Sequence, residues 1–194
     1  MSQWSQAADH RVLVLGDSIS AAYGMDLEQG WVALWANSLD ESTEVINASI
    51  SGETTTGGLT RLPTLLAKHQ PILVVIELGG NDGLRGYPLP HMRANLEQMI
   101  QLSIEAGAQV ALIPMQIPPN YGPAYTRQFS AVYTELAEQF GVVLTPFFLE
   151  DVALKPGLMQ RDGIHPTAEA QPMMLEAIRA SLVGALRAAK DASQ

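Results

Sequence analysis

Five short apolar runs, at residues 11–16, 44–49, 72–79, 109–114 and 142–148, recur along the chain with amphipathic stretches between them. They are rich in Val, Ile and Leu and are continuous rather than alternating, the pattern of parallel strands covered on both faces. Helical periodicity lies near 30–40, 57–69, 91–106 and 124–140, with a last stretch from about 168 to 190. Gly107 and Gly141 follow helical stretches, where a left-handed C-terminal cap is expected, and Pro71 and Pro90 mark element boundaries. Strand and helix alternating through right-handed crossovers give an α/β fold, a three-layer α/β/α sandwich with a parallel sheet of order 2-1-3-4-5. No repeat, low-complexity segment or linker interrupts the pattern, so residues 1–194 read as a single domain with a poorly ordered N-terminal extension over 1–10.

Composition removes several classes of chemistry. The chain has no cysteine, which excludes disulfides, a thiolate nucleophile and Cys-ligated zinc. Its formal charge of −9 argues against a nucleic-acid groove or an anionic membrane surface. The apolar run from Ile72 to Ile76 is interrupted by Glu77 and is far too short to insert stably in a membrane. Residues 1–10 show neither a basic nor an apolar leader region, so a cytoplasmic location is expected if the chain is full length.

The first run ends in Gly16-Asp17-Ser18-Ile19-Ser20, which places Ser18 at the carboxyl end of a strand, where open α/β sheets carry their sites. A serine nucleophile needs a base, an orienting acid and donors for the oxyanion. Of the four histidines, His10 precedes the first strand, His69 ends a helix and His91 begins one. His165 follows a loop leaving the fifth strand at the same edge as Ser18, and Asp162 precedes it by three residues in a turn with Gly163. That spacing lets the Asp162 carboxylate reach Nδ1 while Nε2 faces the serine. Two more loops leave that edge, Ser51-Gly52-Glu53 and Gly79-Gly80-Asn81-Asp82. The Ser18 and Gly52 amides and the Asn81 side chain would make converging oxyanion donors.

Each piece has a plainer reading. A serine after a strand is commonly a helix N-cap, and Asp-Gly is a common turn. Asp162 and His165 could be two ligands of a metal, but no third residue is spaced to complete the site, and no metal or cofactor is expected. Asp17 and Asp82 read as loop-bonding carboxylates, and Glu77 as a buried hydrogen-bonded one. Phe147, Phe148, Met173 and Met174 read as core, with Met159 beside the active loop.

Together the four blocks resemble the SGNH (GDSL) hydrolase superfamily. Asn47–Gly52, Glu77–Gly86, Pro119–Gly122 and Leu154–Pro156 leading into Met159–Pro166 resemble its bacterial multifunctional thioesterase I, lysophospholipase and arylesterase branch. The resemblance implies a flavodoxin-like hydrolase cleaving acyl esters and thioesters without cofactor. Its catalytic residues would be Ser18 as nucleophile, His165 as base and Asp162 as orienting acid, with Ser18, Gly52 and Asn81 as oxyanion donors. It also implies a periplasmic location, expected here if a leader has been removed; if none has, the protein stays in the cytoplasm. Gly16-x-Ser18 lacks the second glycine of a nucleophile elbow, since Ser20 stands in its place.

Loops 83–88 and 115–124 are expected to line an acyl groove with Leu84, Tyr87, Met115 and Ile117. The expected partner is a small acyl ester or thioester, handled by a monomer. Two alternatives are a carbohydrate O-deacetylase of the same superfamily and a non-catalytic binder on a flavodoxin-like scaffold. The second leaves Asp162 and His165 without a task.

Overall fold

The computed structural model describes residues 9–193. The part of the expected extension at 1–8 lies outside the described residues, and His10 already belongs to the first strand. The strands are β1 (His10–Gly16), β2 (Thr43–Asn47), β3 (Leu73–Glu77), β4 (Gln109–Leu112) and β5 (Val143–Leu144). The helices are α1 (Trp31–Ala36), α2 (Thr55–His69), α3 (Gly80–Leu84), α4 (Leu89–Glu105), α5 (Pro123–Phe140) and α6 (Gln171–Ala192). All pairings are parallel, and the sheet order is β2-β1-β3-β4-β5.

The central strands follow from their composition. Val12–Leu15 and Leu73–Ile76 are buried on both faces, with α1 and α6 packed together in one layer and α2, α4 and α5 in the other. Trp31, Trp35 and Phe148 fill the first layer, and Phe129, Tyr133, Leu96 and Met99 the second. Burying such side chains is worth about 1.5–3 kcal/mol each, which makes these layers the principal source of stability.

Three expectations are corrected. β5 is two residues rather than seven: Thr145 N–H still donates to the Leu112 carbonyl, after which the chain leaves the sheet and turns at Phe147–Glu150. β2 is an edge strand and only half-buried, not covered on both faces. The helix near 30–40 stops at Ala36, where Ser38 bonds back to the Trp35 carbonyl through both N–H and hydroxyl. Pro90 marks the start of α4 as expected, lying in its first turn, where its missing N–H is harmless. No helix among the described residues is long and apolar enough to cross a membrane.

Candidate active site

The parallel register pairs Gly16, the last residue of β1, with Glu77, the last of β3, so the loops after both strands open side by side. A side chain at Gly16 would be impossible there: its Cβ would lie 2.7 Å from Glu77 Oε2 and from Ser20 Cβ. Glu77 is fully buried and receives the Ser20 hydroxyl at 2.7 Å and the Asp17 N–H at 3.2 Å. These bonds fold the chain after β1 into a tight helical turn, with Tyr23 N–H donating to the Ser18 carbonyl at 3.1 Å. Ser18 sits at the head of that turn, nearly buried.

His165 approaches from a loop far along the chain. Its Nε2 lies 2.9 Å from Ser18 Oγ and its Nδ1 lies 2.7 Å from Asp162 Oδ2. The other Asp162 oxygen accepts the backbone N–H groups of Ile164 and His165 at 2.9 and 3.0 Å. The His165 side-chain bond, then these two amides, hold the Asp162 carboxyl down at about 2, so it is an anion at any working pH. The Tyr23 ring lies against the imidazole, with centroids 4.3 Å apart.

Asn81 enters on the short helix α3 rather than on the loop expected at Gly79–Asp82. Gly79, at φ 115°, reverses the chain into that helix, and Asp82 ties it to the start of α2 by accepting the Thr55 N–H and hydroxyl at 2.9 and 2.6 Å. The Asn81 amide donates one N–H to Asp17 Oδ2 at 3.0 Å, which fixes its orientation and leaves the other N–H. Gly52 lies in the turn closed by Glu53 N–H to the Ile50 carbonyl, and its own carbonyl is held by Arg85 at 3.1 Å. Among the described residues, neither the Ser18 nor the Gly52 amide has a backbone or side-chain acceptor. Replacing Asn81 by alanine is expected to lower kcat by about 10²–10³-fold, about 2.7–4 kcal/mol, with KM little changed. Steady-state kinetics check this, and a loss carried by KM would make Asn81 a ground-state binding group.

Asp17 and Glu77 form a buried acidic pair. Burial is the largest cause raising Asp17 from the usual 3.8 to about 6, opposed by the Ile19 amide, the His165 charge, and the Asn81 and Glu77 hydrogen bonds. Glu77 is raised well above its ordinary range, by burial first and then by the Asp17 charge. Between the usual 3.8 and about 6, the folded chain holds a proton on Asp17 that the unfolded chain has released. The stabilisation is therefore complete below about pH 4 and lost as pH rises through about 6, on the order of 3 kcal/mol. Denaturant midpoints at pH 4 and 7.5 should show this loss in the wild type and a clearly smaller one in Asp17→Asn.

A cavity of about 570 Å³ opens from Ser18, Asn81 and His165. Leu84, Met115 and Ile117 line it, as do Phe147, Leu149 and Met159. Tyr87 does not: it is 45% exposed beyond the lining, its carbonyl facing the Tyr125 hydroxyl. Phe147, read as core, lines the cavity instead, because the early end of β5 turns it out while Phe148 goes in. Met173 is partly exposed on α6 and Met174 is buried. Leu149, Leu154 and Tyr23 were missed. Nothing local in the sequence marks Tyr23, Leu149 or Leu154. Among the described residues, no three His, Cys, Asp or Glu side chains gather as metal ligands.

The profile of the GDSL-like Lipase/Acylhydrolase family matches residues 14–171. The chain is 56% identical over 174 residues to the esterase TesA of Pseudomonas aeruginosa, a match covering 88% of this chain and 87% of that protein. It is 48% identical over 170 residues to the thioesterase 1/protease 1/lysophospholipase L1 of Escherichia coli strain K12, covering 88% and 82%. The crystal structure of the psychrotrophic esterase EstA from Pseudoalteromonas sp., inhibited by monoethylphosphonate, superposes with a TM-score of 0.88 at 44% identity, covering 92% of this chain and 100% of that one.

Proposed function

The chain belongs to the GDSL-like lipase/acylhydrolase family, and from that premise we propose that it is a serine hydrolase of carboxylic esters and acyl thioesters working through an acyl-enzyme on Ser18. The observation that carries the reading is the unbroken line of contacts from Asp162 Oδ2 through the imidazole to Ser18 Oγ, at 2.7 and 2.9 Å.

In the proposed reaction the acyl carbonyl sits over Ser18 with its oxygen toward the Ser18 and Gly52 amides and the remaining Asn81 N–H. His165 Nε2 takes the hydroxyl proton as Oγ attacks, and the tetrahedral oxyanion is held by those donors. Collapse expels the alcohol or thiol, which receives the proton from Nε2. Water repeats the sequence and releases the acid. Asp162 keeps the Nδ1 proton in place throughout, so Nε2 is free to accept.

The apolar lining favours hydrocarbon acyl groups over polar sugars, which counts against the deacetylase alternative. Lysophospholipids fall within the same substrate class. A monomer in the periplasm is the setting this reading favours, and cell fractionation with sedimentation analysis tests both points. The activity itself is tested with p-nitrophenyl butyrate and octanoate, using the wild type and Ser18→Ala. Turnover of both esters that is absent in the variant supports the proposal, and equal slow rates in the two proteins would remove it.

A further inference from the structure

We propose that Gln160 is a positioning residue that sets the His165 imidazole against Ser18, joining the two loops through the backbone of Tyr23. The inference rests on the catalytic reading of Ser18 and His165 given above. Those two residues lie 147 positions apart, and the bond between their side chains must break and re-form during turnover. Something else has to hold the loops in register while it does.

A continuous chain of hydrogen bonds does this. Ser18 C=O accepts the Tyr23 N–H at 3.1 Å. Tyr23 C=O accepts the Gln160 side-chain amide at 2.8 Å. Gln160 N–H in turn donates to His165 C=O at 2.7 Å. The same side-chain amide spends its second hydrogen on Pro166 C=O at 3.0 Å, so one NH₂ group grips a residue on each side of the junction. The Gln160 carbonyl closes the turn by accepting the Gly163 N–H at 3.0 Å, and Met159 bridges Pro166 antiparallel. Every polar group of Gln160 except Oε1 therefore bears on the geometry of 160–166 or on its attachment to Tyr23.

Two otherwise unused features fit this role. Gly24 stands at φ 77°, and a Cβ there would lie 2.7 Å from Gln160 Oε1, so glycine at that position makes room for the amide. The Tyr23 ring, whose backbone Gln160 holds, packs on the imidazole at 4.3 Å and limits its tilt. An amide is the suitable group, because it must donate twice to carbonyl oxygens; a carboxylate would offer no donor and repel both.

The test compares Gln160→Met and Gln160→Glu with the wild type on p-nitrophenyl butyrate, with thermal midpoints measured on the same samples. Misplacing a base by a fraction of an ångström to an ångström costs about 10- to 100-fold in kcat, and that loss is expected with KM within about threefold. The Glu variant keeps the size of the side chain, so it guards against a Met variant that unfolds. A kcat within about twofold of wild type in a folded variant, or a loss carried by KM, would overturn the inference. If the wild type itself has no Ser18-dependent turnover, the hydrolase reading fails, a different result from unaffected Gln160 variants.

Discussion

Alanine at either Ser18 or His165 is expected to lower kcat by about six orders of magnitude, and alanine at both to cost little more than either alone. The two side chains share one bond, at 2.9 Å, and serve one event, the transfer of the Oγ proton as the acyl carbon is attacked. Removing one leaves the other without a task. The Ser18→Ala variant keeps its backbone amide, the Gly52 amide and the Asn81 side chain, so the oxyanion site survives and a residual acceleration of about 10³-fold over water remains. KM should stay within about threefold, because the cavity walls are untouched. Single-turnover and steady-state rates on the three variants check this. Losses that multiply in the double variant would mean that Ser18 and His165 act independently.

Asp162→Asn is the second large effect, a fall in kcat of about 10³- to 10⁴-fold at pH 8. The exchange preserves the acceptor for the Ile164 and His165 amides, so the loop stays folded. What changes is the atom facing Nδ1. An amide NH₂ in place of Oδ2 forces the imidazole proton onto Nε2, where it blocks acceptance from Ser18 Oγ. The Asp162 side chain is 39% exposed, and water can take part of its place, so the lower end of the range is expected. The native carboxyl, held at about 2, stays ionised through the working range, and its stabilising contribution is lost only as pH falls from about 4 toward 2. Titrating activity downward from pH 8 should therefore reveal no Asp162 limb above pH 4. A loss below tenfold in Asp162→Asn would make the carboxylate a loop-folding group only.

Much of this was legible in the sequence because continuous Val, Ile and Leu runs such as Val12–Leu15, alternating with helical stretches, fit buried parallel strands, whose carboxyl ends share an edge. Ser18, Gly52, Asn81 and His165 could then be gathered by topology alone. What stayed hidden was set by tertiary contact. The helix holding Asn81 depends on Asp82 reaching Thr55, 27 positions away, and no local propensity encodes it. Phe147 and Phe148 carry the same side chain, and only the two-residue length of β5 decides which one faces the cavity. Tyr87 was placed in the groove for its apolar ring, but the lining closes at Leu84 before the chain reaches it. The Gln160 clip joins one side-chain amide to backbone carbonyls of two distant loops, invisible until Tyr23 and His165 are seen together.

The most direct measurement is intact-protein and peptide mass spectrometry after reaction with an alkyl phosphonate ester, read against remaining activity. The account expects one phosphonyl group per chain, on the peptide holding Ser18, with activity falling in proportion and no adduct in Ser18→Ala. Inactivation without an adduct on Ser18, or full labelling that leaves activity intact, would contradict it.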